Sequence, residues 1–87
     1  MHIQTEAFLL GTQNLHSSKS GKDFVKFNFV IEGEYCSFFT LAKNGNEFLK
    51  SKPAQDFAKS HNPTKCVLDL NVKFTEKGTY TDLLGVH

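Results

Sequence analysis

The residues of this chain best suited to chemistry are four histidines, two cysteines and a serine-rich run, and their spacing withholds most of it. His2, His16, His61 and His87 share no metal-ligand spacing with one another, with a cysteine or with an acid cluster. Cys36 and Cys66 are far apart and form no CxxC pair, so a zinc site is not expected. His16 adjoins Ser17 and Ser18, but neighbours along a polar loop do not make a nucleophile with a base and an orienting acid. Asp69 and Asp82 fit neighbouring strands, where partnership with Lys73 or Lys65 is a simpler use than acid–base catalysis. Ser20-Gly21-Lys22 lacks the upstream glycine of a phosphate loop and precedes a strand rather than a helix. No enzymatic activity, metal, cofactor or small-molecule substrate is expected.

The spacing does offer lysine interleaved with aromatic rings. Lys19, Lys22, Phe24 and Lys26 follow one another closely; Lys43 comes after the facing strand; Lys73, Lys77 and Tyr80 flank the last turn. The chain has nine Phe, two Tyr and no Trp, and all ten of its basic residues are lysine. Single-stranded nucleic acid presents phosphates that attract ammonium groups and unstacked bases that lie on exposed rings at ~1–3 kcal/mol each. The net charge of +1 is too small to argue for a polyanion, so the case rests on where the lysines sit. Lysines on strand exteriors also discourage edge pairing, and Phe24 also suits the closing of a barrel mouth.

Those residues need a scaffold, and period-two alternation supplies it. Residues 3–12 read as a strand with Ile3, Thr5, Ala7 and Leu9 on one face, and with a bulge at Gly11. Residues 13–22 are polar and turn-rich, a mobile loop. Residues 23–32 are the clearest strand, Val25, Phe27, Phe29 and Ile31 alternating with Phe24, Lys26, Asn28 and Val30. A turn over residues 32–34 returns the chain through residues 35–42. A three-residue turn pairs Ile31 with Tyr35 and Phe27 with Phe39, and places Phe24, Lys26, Asn28, Phe38 and Thr40 outward. A two-residue turn shifts the pairing by one and exposes Phe39 and Tyr35 instead. The three-residue form is preferred because it collects apolar residues on one face.

Asn44-Gly45-Asn46 is expected to break the sheet and cap a helical turn over residues 47–50. Pro53 opens a second helix with Ala54, Phe57 and Ala58 inward, ended by His61-Asn62-Pro63. Residues 65–74 and 79–86 are the last two strands, joined at Glu76-Lys77-Gly78. At 87 residues there is room for one domain only. Five strands with a short helix between the third and fourth give the order of the five-stranded OB-fold barrel, a mainly β fold. A two-sheet sandwich and an SH3-like barrel share the pattern. No apolar run approaches the ~20 residues needed to cross a bilayer, so the expectation is a cytoplasmic protein without membrane contact. Both cysteines lie in apolar strands and are expected as buried free thiols.

At Ser20-Gly21-Lys22-Asp23-Phe24 and the ring-rich hairpin over residues 27–41, the chain resembles small single-stranded-DNA-binding proteins of phages and plasmids, including the filamentous-phage helix-destabilising type. The ending over residues 68–86, with its turn glycine and aromatic, looks like theirs. The resemblance implies a non-catalytic, sequence-tolerant coating protein of replication or recombination, often a homodimer. It implies that Lys22, Phe24 and Lys26 hold DNA, with Phe38 and Tyr80 as further stacking residues. The chain departs from that pattern in lacking arginine and in ending at Gly85-Val86-His87 without an acidic tip. Two other readings use the same barrel. RNA would be bound by the same stacking surface. A protein-interaction module, an accessory or inhibitor of a phage or plasmid, fits the near-neutral charge, in which Glu32, Glu34, Glu47 and Asp56 offset the lysines.

Overall fold

Alternating large apolar side chains in residues 1–87 build one five-stranded antiparallel sheet in the computed structural model. The strands are β1 (His2–His16), β2 (Asp23–Ile31), β3 (Glu34–Leu41), β4 (Thr64–Thr75) and β5 (Gly78–Val86). Two short helices, α1 (Ala42–Leu49) and α2 (Lys52–Ser60), connect β3 to β4. The sheet order β3-β2-β1-β4-β5 puts β1 in the middle, and the sheet curls into a half-barrel of the OB-fold order. The outer strands β3 and β5 face each other across a cleft between residues 37–41 and 81–84, with no ladder joining them. No helix is long and apolar enough to cross a membrane.

The inner face is the core. Leu9, Val25, Phe27, Phe29 and Leu68 are fully buried, and Ala7, Cys66, Leu70, Leu83 and Val86 complete the layer. Phe27 and Phe29 stack with centroids 6.2 Å apart. Phe48 of α1 and Phe38 of β3 meet them edge-on at 6.0 and 5.9 Å. Burying such a side chain contributes about 1.5–3 kcal/mol, so this quartet is a large part of what a core this small has.

β1 runs longer than the residues 3–12 expected. It continues to His16, pairing Gln13 with Lys26 and Leu15 with Phe24, so the polar stretch is half strand and only residues 17–22 form the loop. That loop is closed by backbone bonds from Ser17 N–H to Lys22 C=O (2.9 Å) and from Gly21 N–H to Ser17 C=O (2.8 Å). The bulge falls at Leu10, between the pairs Leu9–Phe29 and Gly11–Asn28, beside the glycine expected to mark it.

The β2–β3 turn corrects the preferred register. It has two residues, Glu32 and Gly33, with φ of 51° and 80°. Positive φ at both central positions gives the turn whose twist matches that of the strands it joins, and Gly33 adopts it without steric cost. Phe27 therefore pairs with Phe38, Val25 with Thr40 and Phe29 with Cys36. Thr40 is buried, and its hydroxyl donates to the Val25 carbonyl at 3.2 Å.

Asn44-Gly45-Asn46 does not break the chain; α1 runs through it from Ala42. Gly45 is buried because it lies flat on the sheet. A Cβ there would stand 2.6 Å from Val25 Cβ and Cγ2 and 2.7 Å from Thr40 Oγ1. In α2 the Ser51 side chain accepts from Ala54 N–H, Pro53 sits in the first turn, and His61 ends the helix in the left-handed region. Ala54 is buried and Phe57 half-buried, whereas Ala58 faces solvent.

Asp69 ties β4 to its neighbours. Its carboxylate accepts from Gln4 Nε2 at 2.7 Å, lies 2.9 Å from His87 Nε2, and has His2 Nε2 at 3.8 Å. The Gln4 amide, aided by His87 and His2, holds the carboxyl below its ordinary pKa against a smaller opposing effect of desolvation. A carboxyl depressed on folding contributes stability above its unfolded pKa of ~3.9, and that contribution is lost as pH falls through the folded value. Asp69→Asn is expected to remove part of the fall in urea midpoint as the pH drops below about 4. An unchanged acid limb counts against the tie. Gly45→Ala is expected to cost about 1–3 kcal/mol in the same unfolding assay despite the better helix propensity of alanine, because the sheet beneath has no room.

Candidate nucleic-acid interface

Residues directly opposite in antiparallel strands share a face, so the outer surface of β1, β2 and β3 can be read from the register. Four cross-strand rows cover it: Phe8, Val30 and Tyr35; then Gly11, Asn28 and Ser37; then Gln13, Lys26 and Phe39; then Leu15, Phe24 and Leu41. Tyr35 is 84% exposed and Phe39 62%, and Phe8 and Leu41 are also open to solvent. Four large apolar side chains are thus left open to solvent on one face.

Lys26 sits in the middle of this face. Its Nζ lies 5.6 Å from the Phe39 ring centroid, a cation–π contact between cross-strand partners worth about 0.5–1 kcal/mol at an open site. Asn28, one row away, accepts a hydrogen bond from the Ser37 hydroxyl at 2.8 Å. Phe24 is half-buried in the row it shares with Leu15 and Leu41, beside a groove lined by Asn14, Ala42 and Asn46. Lys19 and Lys22 are exposed in the loop beyond that row, and Lys43 is exposed in the first turn of α1. The opposite end of the face is acidic. Glu32 and Glu34 are exposed at the β2–β3 turn, and Lys65 is paired with Glu6 at 3.8 Å.

Lys22, Phe24, Lys26 and Asn28 thus stand on or at the edge of one surface with Lys19 and Lys43, as the sequence suggests. Phe38 does not belong to it. The shorter turn rotates Phe38 inward, where it is half-buried against Phe29, and the exposed ring is Phe39. Lys73, Lys77 and Tyr80 occupy the separate β4–β5 hairpin. Lys73 is the cross-strand partner of Tyr80 and is engaged by Asp82 at 3.0 Å. That pair is solvent-exposed and worth little, so Lys73 stays free to exchange partners. Phe74, 70% exposed near the same tip, is a further open ring.

The register preferred from sequence did not place Tyr35 or Phe39 on this face, although the two-residue alternative did, and Phe8 and Leu41 were not singled out. The signal for the first two was the Glu32-Gly33 pair, since two-residue turns are the commonest hairpin connection. Cys36 and Cys66 are both free; Cys66 is buried and Cys36 only half-buried. Burial pushes the Cys66 thiol up to about 11. No family model, curated protein or solved structure matches the chain.

Phe38→Ala is expected to cost about 2–3 kcal/mol in urea unfolding as a core truncation, and Phe39→Ala less than ~1 kcal/mol. The reverse order contradicts the register. In the native protein a thiol reagent at pH 8 is expected to label Cys36 and spare Cys66 until denaturant is added; mass spectrometry of the labelled peptides distinguishes the two.

Proposed function

We propose that this protein binds single-stranded DNA, without catalysis, on the outer face of β1, β2 and β3. The observation that carries the reading is the exposed Phe39 ring with the Lys26 ammonium beside it, on an open sheet face lined by further uncovered rings. Bases lie flat on Phe39 and the neighbouring apolar rows. Phosphates follow Lys19, Lys22, Lys26 and Lys43, and the carboxylates of Glu32 and Glu34 turn the backbone away from the Tyr35 end. Stacking accepts every base, so coverage is tolerant of sequence. The order of elements supports the likeness to small phage and plasmid single-stranded-DNA-binding proteins, and with it a role in replication or recombination of a mobile element in the cytoplasm of its host, as a homodimer.

The acidic end, where Tyr35 and Phe8 lie among Glu6, Glu32 and Glu34, favours a second reading in which the same face receives a protein partner. Capture from a nuclease-treated lysate separates the two.

Binding of oligo(dT) followed by fluorescence anisotropy is expected to weaken with salt at a log–log slope of about −3, from ~0.7 per phosphate and four engaged lysines. Phe39→Ala is expected to weaken it by ~1–3 kcal/mol, and Tyr35→Ala by less. Absence of binding at low salt, or affinity that ignores salt, rejects the proposal. Competition with an RNA oligomer of equal length decides whether the 2′-hydroxyl matters.

A further inference from the structure

We infer that Asn28 gives this surface a preference for keto over amino bases, an inference that rests on the face being a binding surface for single-stranded nucleic acid. Asn28 lies in the row between Phe39 and Tyr35, half-buried on the outer face of β2. Its amide is oriented by β3, where the Ser37 hydroxyl donates to Oδ1 at 2.8 Å. That bond uses the acceptor end of the side chain. The donor end, Nδ2, makes no hydrogen bond to the protein and faces the opposite strand, where its row partner is Gly11. A Cβ on Gly11 would stand 3.7 Å from Nδ2, so any other residue there would begin to roof the amide. The bulge at Leu10 and the missing side chain at Gly11 together leave the Asn28 donor open between the rows that carry Phe39 and Tyr35.

The geometry points to what that donor meets. The lysines of the loop and α1 draw the sugar–phosphate backbone to one end of the face, so a base resting on Phe39 extends its far edge along the strands. The next row is Asn28, roughly 6.7 Å on at two residues of strand. That leaves room for the outer half of a pyrimidine and a hydrogen bond of ~2.9 Å. The far edge carries a carbonyl in uracil, thymine and guanine, and an amino group in cytosine and adenine. A carbonyl accepts from Nδ2, whereas an amino group sets donor against donor and both go unpaired. Ser37 is a positioning residue: by donating to Oδ1, its hydroxyl holds the amide in the orientation that leaves Nδ2 toward Gly11.

Oligo(dU) and oligo(dC) of equal length differ at this edge and both lack the thymine methyl, so the change in the ratio of their dissociation constants on substitution at Asn28, at one salt concentration, separates the hydrogen bond from their unequal stacking. The native protein is expected to bind oligo(dU) about five- to tenfold more tightly. Asn28→Asp replaces the donor with an acceptor; both affinities fall through charge, and the preference turns toward oligo(dC). Asn28→Ala removes the contact and brings the ratio close to one, which serves if the aspartate variant does not fold. Ser37→Ala lowers the ratio without abolishing binding. Equal affinities in the native protein, or a ratio untouched by substitution at Asn28, overturn the inference while leaving the binding face intact. If neither oligomer binds, the binding face falls and this inference with it.

Discussion

The handedness of one tight turn governs the rest of this molecule. Glu32 and Gly33 both take positive φ, so the chain reverses in two residues instead of three. Because side chains alternate along a strand, that single residue of difference decides the face of every side chain in β3. Phe38 goes under the sheet to Phe29, and Thr40 satisfies its buried hydroxyl on the Val25 carbonyl. Tyr35 and Phe39 come out. The core and the exposed face are two outcomes of one backbone geometry, which is why the substitutions that separate them lie next to each other in sequence.

How much of this was legible depended on whether a strand carried unequal faces. In β2 the apolar set of Val25, Phe27 and Phe29 alternates with Lys26 and Asn28, and in β4 Cys66, Leu68 and Leu70 alternate with Asp69 and Asn71; both strands were readable from pattern alone. β3 was not, because Phe38 and Phe39 are adjacent and equally large, so parity carries no information and only the turn chemistry resolves it. The OB-fold order, with its helical segment between the third and fourth strands, followed from element sequence. The start of α1 did not, since a glycine between two asparagines reads as a break. What makes it helical is tertiary: Gly45 lets the helix rest on Val25. Of the site, Lys19, Lys22, Lys26, Lys43 and Phe24 were brought together from sequence, whereas Lys73, Lys77 and Tyr80 fall on a separate hairpin and the outermost rings turned on the register.

The face that results is divided along its length. Lys19, Lys22, Lys26 and Lys43 gather toward the β1–β2 loop, and Glu32 and Glu34 mark the far turn. A net charge of +1 conceals this separation, because it sums ten lysines against nine carboxylates without regard to where they stand. Attraction for a polyanion depends on local field rather than on total charge. The rings are mounted on β2 and β3 above the Phe27–Phe29 stack, so their positions are set by the most tightly packed part of the core.

β1 has a seam. Its first half is laddered to β4 and its second half to β2, and only Phe8 and Leu9 have strand partners on both sides. Since β3 and β5 share no ladder, the two hairpins are joined in hydrogen bonding through that short overlap alone, with the Leu10 bulge directly after it. The molecule is in effect two β-ribbons riveted at one point, and Leu9, with no solvent exposure, is the rivet. Breathing motions should pivot there and widen or narrow the gap between the ribbons while each keeps its own pairing, so amide protons at the overlap should be among the last to exchange with deuterium.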